Sequence, residues 1–147
     1  MKVEEHIEVS VPVRTAYNQW TQFASFPEFM DGVKRVDQID DTTTHWVTDI
    51  GGVEREFDAV ITEQRPDERI AWTSVSGPRQ AGTVSFRPIG GERTDVTLEM
   101  EYEPETLTEK LGDKLGFVKL KVRRDLERFA HFIEGRGRES GAWRGEV

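Results

Sequence analysis

The chain contains no cysteine. Disulfides, thiol nucleophiles and thiolate metal sites are therefore excluded. Histidine is scarce, at three residues. His6, His45 and His131 are far apart, no two share an H-x-x-x-H spacing, and no carboxylate completes a ligand set. No metal site is expected. The aspartates of "DQIDD" lack the calcium-loop pattern and read as a solvated turn. There is no G-x-S-x-G, P-loop or dinucleotide glycine motif, and nothing calls for a cofactor. No segment approaches the run of about 18 apolar residues that spans a membrane. The start, "MKVEEHIEVSV", has no apolar signal core. A cytoplasmic protein without an integral membrane segment is expected.

What remains is a polar but foldable chain. Its 147 residues suit one domain with a real core. Apolar residues make up 35% and charged residues 33%, yet eight Phe, four Trp and two Tyr argue against disorder. The net charge of -8 disfavours nucleic acid and anionic membrane as partners. The basic run "KLKVRR", Lys119 to Arg124, reads as the solvated flank of a helix.

Val3, Glu5, Ile7, Val9 and Val11 alternate with polar residues, which is the period of a strand with one buried face. Ser10 and Pro12 mark a helix start, and Val13, Ala16, Tyr17, Trp20 and Phe23 follow at helical spacing. "SFPEFMDG" reads as a second short helix, with Ser25 as cap and Gly32 as stop. From Val33 to Pro104, strand-like runs alternate with turn signals such as "DTT", "GG", "RPDE", "GPRQ" and "GGER". They make six consecutive strands, most simply an antiparallel meander. Leu111, Leu115, Val118, Val122, Leu126, Phe129 and Ile133 then form an apolar stripe on one long helix that stops near Gly135. Lys119, Lys121, Arg123, Arg124, Asp125 and Glu127 are assigned to its other faces. From Leu107 to Ile133 it would run roughly 40 Å. Residues 1–135 form the expected domain, and 136–147 read as a flexible tail.

The expected class is α+β, in the order β-α-α-β6-α: a seven-stranded, curved antiparallel sheet covered by the long helix. A straight helix across a curved sheet leaves a cavity. The alternation puts Trp46, Thr48, Arg55, Phe57, Trp72, Ser74, Phe86, Met100 and Tyr102 on the inner face, and Val118 and Val122 face them from the helix. This mixture of rings, hydroxyls and one arginine is the composition of a small-molecule site. Arg55 would grip a ligand carbonyl or carboxylate by a forked hydrogen bond. Its alternative is a strand-end arginine reaching water or a neighbouring acid, Glu54 or Glu56. Trp46 and Trp72 suit a pocket wall and a core equally. Tyr102, just before Pro104, is either a proton donor to a ligand or a structural hydroxyl at the sheet edge.

The opening "IEVSVPVRTAYNQWTQFASFPEFM", the strand "RIAWTS" and the closing "LERFAHFIE" resemble the START-like, helix-grip superfamily, also called Bet v 1-like. Within it they look most like the polyketide cyclase/dehydrase and lipid-transport branch, which includes coenzyme Q-binding proteins. The resemblance spans about residues 1–135. It implies the helix-grip fold and a hydrophobic small-molecule ligand, and it carries over no catalytic residues. Three functions follow as expectations. The first is a carrier, chaperone or sensor for a lipid, quinone or polyketide-like compound. The second is a polyketide cyclase, aromatase or dehydratase that folds its substrate in the cavity. The third is a protein whose cavity is filled by its own side chains. A monomer or a homodimer is compatible with the exposed sheet edges.

Overall fold

A computed structural model describes residues 2–50, 52–76, 79–102 and 114–145. Its strands are β1 (Lys2–Val9), β2 (Val33–Gln38), β3 (Thr43–Ile50), β4 (Val53–Arg65), β5 (Arg69–Ser74), β6 (Gln80–Ile89) and β7 (Arg93–Tyr102). Its α-helices are α1 (Val13–Trp20) and α2 (Lys114–Arg136). The strands form one sheet in the order β1-β7-β6-β5-β4-β3-β2, and every neighbouring pair is antiparallel. β2 to β7 are the expected meander. β1 closes on β7, with Lys2 opposite Glu101 and Val9 opposite Thr94. Irregularities between Val33 and Arg35 and between Ile61 and Glu63 interrupt the ladder, and such breaks bend and twist a strand. The result is the curved α+β helix-grip architecture.

Alternation decides which side of the sheet is dry. Phe57, Ala59, Ile61, Ile70, Trp72, Val84, Phe86, Val96, Leu98 and Met100 are all buried on the inner face. α2 covers that face with Val118, Val122, Leu126, Phe129 and Ile133, each at most 1% exposed. The helix ends at Arg136, where Gly137 takes φ +72° and its N–H donates to the Ile133 carbonyl at 2.9 Å. Glycine adopts this left-handed cap without a Cβ penalty.

One element differs from expectation. The second helix is a short 3-10 helix, Phe23–Glu28, with Gln22 rather than Ser25 in the cap position and no side-chain cap bond. Pro27 lies inside it and has no N–H to give an α-helical ladder. Phe23 and Phe26 are both buried, and their separation of three residues matches the tighter 3-10 period.

The stretch after Gly137 lies against α1. Asn18 Nδ2 donates to Glu139 Oε1 at 2.9 Å, Gln19 Nε2 donates to Ser140 Oγ at 3.0 Å, and the Trp143 N–H donates to Thr21 Oγ1 at 3.0 Å. Arg144 donates to Asn18 Oδ1 at 2.7 Å and pairs with Asp67 at 2.9 Å. Apolar periodicity could not foresee this, because the contacts are polar and the partners lie far off in sequence.

Candidate functional site

Trp72 sits on β5, in the middle of the sheet, with Ile61 of β4 on one side and Gly82 of β6 on the other. Gly82 in turn faces Met100 of β7. A Cβ at Gly82 would lie 2.3 Å from Trp72 Cζ2 and 2.9 Å from Met100 Sδ. Only glycine leaves room for the indole to lie across the neighbouring strand. Trp46 stacks on Trp72 with ring centroids 5.9 Å apart, and on Phe57 at 5.8 Å. The Trp46 Nε1–H donates to Thr44 Oγ1 at 2.7 Å, and the Thr44 hydroxyl donates to the Ala59 carbonyl at 3.3 Å. This wall is therefore fixed both by stacking and by hydrogen bonds.

Beyond the two indoles lies a cavity between the sheet and α2. Trp46, Trp72, Leu98 and Met100 form one wall, Met30 and Val33 lie beside it, and Thr48, Gln80, Lys121 and Asp125 supply its polar groups. The space open to water centres is about 20 Å³, room for a water molecule rather than for a drug-sized ligand. Met30 and Met100 are unbranched and adaptable, the kind of lining that repacks around a guest.

Asp125 is 4% exposed. Its carboxylate accepts from Lys121 Nζ at 2.8 Å, from Arg128 Nη1 at 3.3 Å and from the Asp31 N–H at 3.1 Å. Burial pushes its pKa above the usual aspartate value, against the opposing pull of Lys121, the Asp31 N–H and Arg128. Thr48 Oγ1 and Gln80 Nε2 are buried and have no hydrogen-bond partner. Unpaired buried polar atoms each cost about 1–3 kcal/mol, so they call for an explanation.

Of the residues singled out from sequence, Trp46, Thr48, Trp72 and Met100 line this cavity. Phe57 stands behind Trp46. Ser74 Oγ accepts the Gln80 N–H at 2.9 Å, so it holds the strand that carries Gln80 rather than facing the cavity. Phe86 packs edge-on against Tyr17 at 5.5 Å. Val118 and Val122 belong to the packed helix–sheet core. Arg55 is half-buried near the β3–β4 hairpin and donates to the Glu54 carbonyl at 3.2 Å, away from the cavity. The side chains of Ile50, Tyr102 and Leu115, and the whole of Leu107 and Leu111, lie outside the described residues.

Three polar cavity residues escaped the sequence reading. Gln80 shares the parity of Val84 and Phe86, but in sequence it belongs to the turn signal "GPRQ". Lys121 and Asp125 lie three residues after Val118 and Val122, beside the apolar stripe, and not on the solvent-facing side that their charge suggests. The histidines stay apart. His6 pairs with Asp95 at 3.2 Å, and His45 sits between Asp58 at 2.7 Å and Glu56 at 3.4 Å. The bond to Asp58, then that to Glu56, raises the pKa of His45. Among the described residues no cluster of three metal-ligating side chains exists, and no helix is long and apolar enough to cross a membrane.

The architecture recurs in solved structures. A START superfamily protein from Mycobacterium smegmatis matches with a TM-score of 0.70 at 19% identity, over 92% of this chain and 95% of that one. The Zhui aromatase/cyclase from Streptomyces sp. R1128 matches with a TM-score of 0.75 at 15% identity, over 97% and 99% of the two chains. The chain thus has the fold of the START, helix-grip class. Residues 9–130 match the family described as polyketide cyclase / dehydrase and lipid transport, and the chain belongs to that family. An uncharacterized 17.2 kDa protein from the melC2-rnhH intergenic region of Streptomyces lincolnensis is 61% identical over 147 residues, 99% of this chain and 98% of that protein.

Proposed function

We propose that this protein binds a hydrophobic small molecule, such as a lipid, quinone or polyketide-like compound, in the cavity between the sheet and α2. It would act as carrier, chaperone or sensor. One observation carries the reading: Thr48 Oγ1 and Gln80 Nε2 are buried without partners, and both residues line a cavity walled by stacked tryptophans. A merely structural core would satisfy such atoms or replace them with apolar ones. A ligand with a polar end would satisfy them instead, while Met30 and Met100 yield to its body. Binding is favoured over cyclisation because the cavity's two charged groups, Lys121 and Asp125, are bonded to each other at 2.8 Å. Neither stands as an isolated acid or base.

The test is native mass spectrometry of freshly purified protein, followed by melting curves with quinones, fatty acids and aromatic polyketides. A stoichiometric adduct, or a ligand-dependent rise in melting temperature, is the expected result. A clean mass with no shift from any member of the panel would leave Trp72 as ordinary core. Conversion of a poly-β-keto substrate would replace the carrier reading with the cyclase one.

A further inference from the structure

The cavity has room for about one water molecule, so a larger guest enters only if part of its surround moves. One part of that surround is held from outside. α1 runs through Thr21 and Gln22 into the 3-10 helix Phe23–Glu28. Phe26 of that helix touches both cavity tryptophans, and Met30, just beyond it, lines the cavity.

Residues 138–145 grip this corner where α1 ends. Gln19 bonds Ser140 twice: its Nε2 donates to the Ser140 hydroxyl at 3.0 Å, and its Oε1 accepts the Ser140 N–H at 2.8 Å. Thr21 Oγ1 accepts the Trp143 N–H. Asn18 donates to Glu139 and accepts from Arg144. Arg144 then reaches Asp67, in the turn between β4 and β5, and its guanidinium lies over the Tyr17 ring, 5.5 Å from the centroid. The segment thus ties α1 to one end of the sheet.

This tie is reversible by its chemistry. None of residues 138–145 is buried, so lifting them uncovers no apolar side chain of their own, and water can replace each polar bond. Such bonds contribute little net, and the entropy of ordering the segment opposes them. Gly137, at φ +72°, ends α2 before the segment begins, so α2 need not follow it.

We propose that residues 138–145 are a releasable strap. Docked, it holds the corner formed by α1 and the 3-10 helix closed. Released, it lets Phe26 and Met30 move aside and admits a ligand between the sheet and α2. For its ligand this rests on the binding reading above, whereas the hold on the corner is measurable without one.

The experiment uses the full-length variant Glu139→Ala/Arg144→Ala, which alters neither the cavity lining nor the core, with its fold checked by circular dichroism. Hydrogen exchange read by mass spectrometry should quicken about tenfold over residues 13–30 and 138–145 and stay unchanged in the strands, the effect of losing about one charge-assisted bond. Stopped-flow association of the neutral fluorescent probe N-phenyl-1-naphthylamine should quicken about tenfold with it, because the open population rises by that factor. Faster exchange confined to 138–145, or none, overturns the hold on the corner. Faster exchange over 13–30 with an unchanged association rate overturns the role in entry. Loss of the fold overturns the strap, since the segment would then support the core. A probe that binds neither form overturns the binding reading and with it the role in entry, and the exchange rates alone then decide the hold on the corner.

Discussion

At the end of the interior closed by α1, rings meet rings. Trp20 contacts Phe26, Phe29 and Phe129 at centroid distances of 5.3, 5.5 and 5.2 Å, and Phe23 meets Phe26 at 5.1 Å. At the other end, Trp46 and Trp72 face Thr48, Gln80 and the Lys121–Asp125 pair. Phe26 joins the two regions, touching Trp46 at 5.7 Å and Trp72 at 6.5 Å. The aromatic end does contain an unpaired donor, Trp20 Nε1, but its rings fill their space edge to face. The polar end leaves a cavity and two unmet hydrogen-bonding groups, Thr48 Oγ1 and Gln80 Nε2. The contrast sets packing against polarity: one end holds the fold together by ring contacts, and the other carries the cost of buried polar atoms without partners.

Four substitutions sharpen or break this division. Phe26→Ala removes the ring shared by both ends and is expected to cost about 3–5 kcal/mol in denaturant-induced unfolding. A loss below about 1 kcal/mol would show that the aromatic end is not the stabilising one. Gly82→Ala places a methyl group where Trp72 now lies, and about 1–3 kcal/mol of destabilisation is expected. A changed tryptophan emission should accompany it, and unaltered emission would mean that the indole does not rest on Gly82. Thr48→Val and Gln80→Leu should act in the opposite sense. Each removes a buried unpaired polar atom, so stability measured without ligand should stay level or rise by up to about 1 kcal/mol. A clear loss in both would mean that these atoms are satisfied, and the division would collapse.

The fold was legible where periodicity carries it. The alternation through Val3, Ile7 and Val9 describes a face on which Val3 and Val9 are buried and Ile7 is partly buried, and the stripe from Val118 to Ile133 is buried. The 3-10 helix was misread because "SFPEF" offers a cap-like serine, and only packing shows that Phe23 and Phe26 face inward together. The cavity was half legible. Trp46, Thr48, Trp72 and Met100 follow from strand parity. Arg55 has the same parity, but it lies so near the hairpin that its long side chain bends back to the chain at Glu54. Lys121 and Asp125 were hidden by a sound rule, that charged residues face water, which fails when two opposite charges pair inside. Gln80 was hidden by a strand boundary drawn two residues late.

β1 precedes the other six strands in sequence, yet among the described residues it pairs only with β7, with Lys2 opposite Glu101. Joining β1 to the sheet therefore closes a loop that spans most of the chain. Until β7 emerges, β1 has no edge to join, and the inner face has neither its closing strand nor α2 over it. Pairings of such long range are slow to form. Trp46 and Trp72, both buried in the folded protein, therefore owe their cover to contacts that join distant parts of the chain.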